Sequence, residues 1–153
     1  MANTILDLLD KFISIEENGC SLFLNLSSQE DIPIKVKTMA KVFAQEEKRH
    51  IGLYQKLKGS IETPDIEIDS SLYQKADRLI YDLKRINNPG EIKSLKELLE
   101  FCLNFERENL ILVLEIQNLM KIDNPIESVA YKILTDIAYE EQKHVANIES
   151  CIN

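Results

Sequence analysis

The 153 residues make up the length of one domain, enough to bury a core without cross-links. Hydrophobic residues are 44% and charged residues 29% of the chain, with four glycines, four prolines and no tryptophan, which excludes disorder and collagen-like repeats and points to a soluble helical class. A formal net charge of −8, with lysines and arginines scattered among acids, argues against a nucleic-acid footprint and favours cations as small partners.

The spacing predicts a first helix over residues 4 to about 26, where Leu9, Phe12, Glu16, Cys20 and Phe23 recur at steps of three and four. A glutamate therefore falls within an apolar stripe. Asp31 stands where it can cap a second helix, with Pro33 in the first turn, where a missing N–H costs nothing. That helix runs to about residue 58 with Gly59 as its stop, and its stripe reads Val36, Ala40, Phe43, Glu47, His50, Tyr54 and Leu57. The short connection predicts that the two pack antiparallel.

From residue 60 to 90 the pattern weakens, with Thr63-Pro64 and Asn87-Asn88-Pro89-Gly90 as breakers around a short helix over 72–86. A third long helix begins at Ser94, which has the spacing of a capping box with Glu97, and continues to about residue 121. Its stripe is Leu95, Leu99, Cys102, Glu106, Leu110 and Val113. Asn124-Pro125 opens the last helix, with Ala130, Leu134, Ile137, Glu141, His144 and Ile148 on one face. The expected fold is all-α: one domain over residues 1–153, an antiparallel four-helix bundle with one long crossover, 60–93, between the second and third long helices.

The two halves repeat one another. Ala44-Gln45-Glu46-Glu47-Lys48-Arg49-His50-Ile51 matches Ala138-Tyr139-Glu140-Glu141-Gln142-Lys143-His144-Val145 in residue type at nearly every step. Glu16-Glu17-Asn18-Gly19 stands to the first of these motifs roughly as Glu106-Arg107-Glu108-Asn109 stands to the second. Two similar hairpins imply an approximate two-fold axis on which the repeated polar residues meet.

A glutamate and a histidine three residues apart project from one side of a helix, so both can reach one metal ion. Both histidines of the chain have such a glutamate, Glu47 before His50 and Glu141 before His144. Glu16 and Glu106 lie on the core-facing stripes of the other two long helices, where a buried carboxylate without a cation costs several kcal/mol. The plain alternative is a solvated bundle of different register, with Glu46 and Glu140 as ordinary surface acids. Glu17 and Glu108 fit less well in place of Glu16 and Glu106, since Glu17 aligns with Asp10 and Ser21, and Glu108 with Asn104 and Glu115.

One Glu from each of two helices and one Glu-x-x-His from each of the other two is a di-iron carboxylate arrangement. On these residues the chain resembles the ferritin-like superfamily, and most closely rubrerythrin-like proteins and bacterioferritins, over nearly its whole length except the crossover. The resemblance implies Glu16, Glu47, His50, Glu106, Glu141 and His144 as ligands of two iron ions, with Glu47 and Glu141 bridging and Mn or Zn as substitutes. It implies a non-haem di-iron oxidoreductase that reduces hydrogen peroxide or oxygen. The rival functions are ferroxidase activity with iron storage or buffering, and a metal-stabilised binding module without turnover.

The departures from the family shape these expectations. A full rubrerythrin adds a rubredoxin module with two CxxC pairs, absent here, so electrons must come from an external donor such as a rubredoxin-like protein. Rubrerythrins tend to carry a further carboxylate one turn past the third-helix ligand, where this chain has Asn109, and a tyrosine often found on the first helix is Phe23. The fifth helix of bacterioferritin does not follow His144, so a homodimer is expected rather than a cage.

Cys20, Cys102 and Cys151 form no CxxC pair, which fits a reducing compartment. Cys20 and Cys102, one turn from ligands, read as small core residues, and Cys151 as a free thiol near the end. Tyr54, one turn past His50, reads as a core tyrosine with a satisfied hydroxyl. No apolar run approaches a membrane span, and the start MANTILDLLDKF lacks the pattern of a signal peptide, so a cytoplasmic location without membrane contact is expected.

Overall fold

A computed structural model of the chain describes residues 3–61, 67–86, 92–118 and 125–152, with the backbone alone at 72, 83, 85–86 and 125–130. The described residues are all-helical: α1 (Ile5–Ser27), α2 (Ile34–Gly59), α3 (Ser70–Ile86), α4 (Leu95–Asn118) and α5 (Pro125–Ile152). The one extended pairing among them is an isolated bridge between Thr4 and Glu67. No described helix is long and apolar enough to cross a membrane.

Local chemistry explains where the helices begin. Thr4 caps α1 through a capping box, its hydroxyl accepting from the Asp7 amide while the Asp7 carboxylate accepts from the Thr4 amide at 2.8 Å. Ser94 accepts from the Glu97 amide at 3.1 Å, but the return bond from Glu97 goes to the Lys93 amide at 2.9 Å. At α2 the expected cap does not form. Pro33 itself occupies the N-cap position, without a side-chain cap, and the helix starts at Ile34. The Pro33 carbonyl accepts from the Val36 and Lys37 amides, which closes the first turn without Asp31.

The helix expected over 72–86 starts earlier, at Ser70, because Asp69 and the two serines form its first turn, with the Tyr73 amide donating to the Asp69 carbonyl. The breakers Thr63-Pro64 and Asn87-Asn88-Pro89-Gly90, the end of the third long helix beyond Asn118 and the Ala130 side chain lie outside the described residues.

Contacts between helices give their directions. Lys58 near the end of α2 pairs with Asp10 near the start of α1, and Phe43 of α2 meets Phe23 of α1, so these two run antiparallel. Gln117 near the end of α4 donates to Thr135 in the first half of α5, and Arg107 of α4 pairs with Glu149 near the end of α5, so these two also run antiparallel. α3 packs against α1 and α4, tied to α1 by Lys11–Asp77 at 2.9 Å.

The apolar side chains form two clusters. One gathers Leu8, Phe12, Tyr54, Ala76, Ile80, Val113, Ile116 and Leu134; the other gathers Phe23, Val36, Ala40, Phe43, Leu98, Cys102 and Ile148. Between them along α1, α2, α4 and α5 lie Glu16, Glu47, His50, Glu106, Asn109, Glu141 and His144, all buried.

Candidate metal centre

Every residue of this polar layer arrives on a stripe that burial of its apolar neighbours forces inward. Leu9, Phe12, Cys20 and Phe23 are buried on α1, and Glu16, on the same stripe, is fully buried with them. The same holds for Glu47 and His50 between Phe43 and Tyr54, for Glu106 between Cys102 and Val113, and for Glu141 and His144 between Ile137 and Ile148. Glu17 and Glu108 are exposed, so the alternative register is not the one adopted.

The six expected donor residues fall into two triads, and a third grouping sets half-exposed Glu46 with both histidines. Glu16, His50 and Glu141 form one, and Glu47, Glu106 and His144 the other, with the donor atoms of each within 4.8 Å of one another. His50 Nδ1 lies 3.9 Å from Glu16 Oε2 and 3.7 Å from Glu141 Oε1, while His144 Nδ1 lies 3.1 Å from Glu106 Oε2. The imidazoles face one another with ring centroids 4.0 Å apart. Each triad joins the histidine of one Glu-x-x-His motif to the glutamate of the other. The sequence expects the glutamate and histidine of each motif to share an ion and Glu47 and Glu141 to bridge; here each of these glutamates is grouped with the histidine of the other motif.

Carboxylates confined this closely repel one another. Burial, and then the charge of neighbouring carboxylates, pushes Glu16, Glu47 and Glu106 well above the usual carboxylate range. Burial raises Glu141 as well, but the neighbouring His50 imidazole and the Glu106 and Glu16 carboxyls outweigh it and lower this group to about 2. Burial and mutual repulsion thus disfavour the charged forms of Glu16, Glu47 and Glu106, while the neighbours of Glu141 favour its charged form. Burial pushes the His144 imidazole down, which keeps it neutral and able to donate a lone pair.

The donor set fits divalent cations. Glu16 Oε2, Glu47 Oε2, Glu106 Oε2, Glu141 Oε2, His144 Nδ1 and both ring nitrogens of His50 are buried without a hydrogen-bond partner. Buried polar atoms are rarely left so, and a run of them around one point marks a place for an ion. Oxygen and imidazole donors suit Fe(II), Mn(II) and Zn(II).

Three further residues touch the site. Asn109 donates from Nδ2 to Glu16 Oε1 at 3.0 Å, and the Tyr54 hydroxyl donates to Glu141 Oε1. Tyr54 is thus satisfied, as expected of a core tyrosine, but by one of the metal-ligand candidates. Glu46, half-exposed, places Oε2 at 3.7 Å from His144 Nε2 and also holds Arg49 at 3.2 Å. The doubled glutamate in both repeats is the sequence signal for it. Burial, and then Glu106, pushes the Cys102 thiol well up, so it stays protonated and packs as a small core group, and Cys20 is buried in the same cluster.

A cleft of about 250 Å³ between α2 and α5 is lined by Tyr54, Asp136, Tyr139 and Glu140 among others, and Tyr54 in its wall donates to Glu141. Comparisons with known protein families, with curated proteins and with solved structures find no match, so the chemistry of the centre is argued from its own residues.

Proposed function

We propose that the chain is a ferritin-like antiparallel four-helix bundle of α1, α2, α4 and α5, with α3 in the crossover, and that its buried layer holds two iron ions. The observation that carries this reading is the pair of buried triads with unpartnered donor atoms. Four ionised glutamates carry a charge of −4, which two divalent ions neutralise, and the ions replace the protons that the crowded carboxyls otherwise hold.

Reduced iron would supply electrons for reduction of hydrogen peroxide or oxygen. The residues of the chain hold and shield the ions. The apolar clusters on both sides exclude bulk water, Tyr54 keeps Glu141 oriented, and the α2/α5 cleft admits a small oxidant as far as Tyr54. With no CxxC pair in the sequence, sustained turnover draws on an external donor of the rubredoxin-like kind, and the assembly is a homodimer.

Anaerobic purification with metal analysis should find about two ions per chain, and the reduced protein should react faster with hydrogen peroxide than with oxygen in stopped-flow mixing. One ion, or none, after saturation with added Fe(II) sinks the dinuclear reading. Faster reaction with oxygen, consumption of excess ferrous ions without a donor, and a hollow particle in light scattering together would replace peroxide reduction by iron storage.

A further inference from the structure

We infer that the two metal positions are unequal and fill in order, the Glu16, His50, Glu141 position first, because among the described side chains the neutral donors Asn109 and Tyr54 both bond carboxylates of that position. This rests on the dinuclear reading above and adds what sets its two halves apart.

Asn109 is 2% exposed, and its amide holds Glu16 Oε1, leaving Oε2 as the oxygen turned toward His50 Nδ1. Tyr54, also 2% exposed, donates to Glu141 Oε1, the oxygen 3.7 Å from His50 Nδ1, and leaves Oε2 without a partner. Both carboxylates of one triad are thus held by a neutral donor, Glu16 on the oxygen away from His50 and Glu141 on the oxygen beside it, each with an oxygen left over. In the other triad Glu47 Oε2 and Glu106 Oε2 are unpartnered, and Glu46 approaches His144 but can brace neither carboxylate, being an acid itself.

The internal repeat shows where the asymmetry enters. Asn109 follows Glu106 by three residues, and three residues after Glu16 stands Gly19, which has no side chain. Tyr54 follows His50 by four, and four after His144 stands Ile148, which has no donor. At both places the repeat breaks, and both donors serve the same triad. Outer partners of metal ligands typically contribute about 10- to 100-fold in affinity, because they hold the ligands in their binding geometry before the ion arrives. Two such partners on one triad separate the positions by on the order of 100-fold.

The test is calorimetric titration of the metal-free full chain with Zn(II), and with Mn(II) followed by electron paramagnetic resonance. Two steps separated on the order of 100-fold are expected, and one equivalent of Mn(II) should give the signal of isolated ions rather than of coupled pairs. Glu16→Gln should remove the tight step and Glu106→Gln the weak one. Asn109→Leu and Tyr54→Phe, which keep shape and delete the donor, should each weaken the tight step about 10- to 100-fold and spare the other. The weak step, unmoved in Asn109→Leu, is the internal control that separates bracing from general damage. Two equal steps in the unaltered chain, or equal weakening of both steps by these variants, would overturn the order of filling while leaving two ions in place. Absence of any binding of either ion would overturn the dinuclear reading with it.

Discussion

Glu141 differs from its three companions in how it is held. Its carboxylate accepts the buried Tyr54 hydroxyl, so Glu141→Ala strands that donor and should destabilise the metal-free protein by about 1–3 kcal/mol. Glu106→Gln removes an acid whose charged form burial disfavours, so it should leave the metal-free protein as stable or more so. Melting of chelator-treated proteins separates the two, and a Glu106→Gln protein that melted as low as Glu141→Ala would assign Glu106 an ordinary structural role. The six layer residues were legible in the sequence because helical spacing alone puts Glu16, Glu47, His50, Glu106, Glu141 and His144 on buried stripes. Their partnership was not. Which glutamate meets which histidine depends on how the hairpins interlock, and the Asn109 and Tyr54 bonds span 93 and 87 residues of sequence, beyond any local pattern.

Gly19 and Gly52, in helix interiors, face opposite surroundings, and substitutions should separate them. A Cβ at Gly52 in α2 would meet nothing within 4 Å, so Gly52→Ala should stabilise by about 0.5–1 kcal/mol through helix propensity and leave metal binding unchanged. A Cβ at Gly19 in α1 would lie 3.2 Å from the Phe105 ring and 3.5 Å from the Glu47 carboxyl carbon. Gly19→Ala should therefore displace Phe105 and Glu47 and lower metal affinity, with little net change in metal-free melting because propensity offsets crowding. Unaltered Zn(II) affinity in Gly19→Ala would show that Glu47 does not depend on this close approach. Long helices were readable where apolar spacing persisted over several turns, as in α1 and α4. The start of α3 was not, since Asp69-Ser70-Ser71 resembles a loop until its amides and carbonyls are paired, and neither was the start of α2, where Pro33 takes the place expected of Asp31.

The whole molecule should show pH dependence of opposite sign with and without metal. Glu16, Glu47 and Glu106 have folded pKa values raised above the ordinary 4.5, so their stabilising protons are fully present below that value and are lost as pH rises through the raised values. His144, lowered from 6.5 by burial, acts the other way as pH falls, but one imidazole stands against three carboxyls. Metal-free protein should accordingly melt higher at pH 5 than at pH 8. Zn(II)-loaded protein should reverse the order, because ligands bind the ion only after losing their protons. A metal-free protein more stable at pH 8 would mean that the layer is already ionised and compensated. The division of the interior has a further consequence for how the chain chooses one alignment of its helices. Leucine, isoleucine and phenylalanine populate both apolar clusters, so apolar contacts alone discriminate poorly between neighbouring alignments. Sliding a helix by one turn, about 5.4 Å, would carry a carboxylate against Phe12 or Phe23, at a cost of several kcal/mol. The acids and imidazoles thus work as a key that admits a single fit. Replacing all six by apolar residues of similar size should raise the melting temperature and multiply the amide resonances, as a more stable chain settles into several interchangeable alignments.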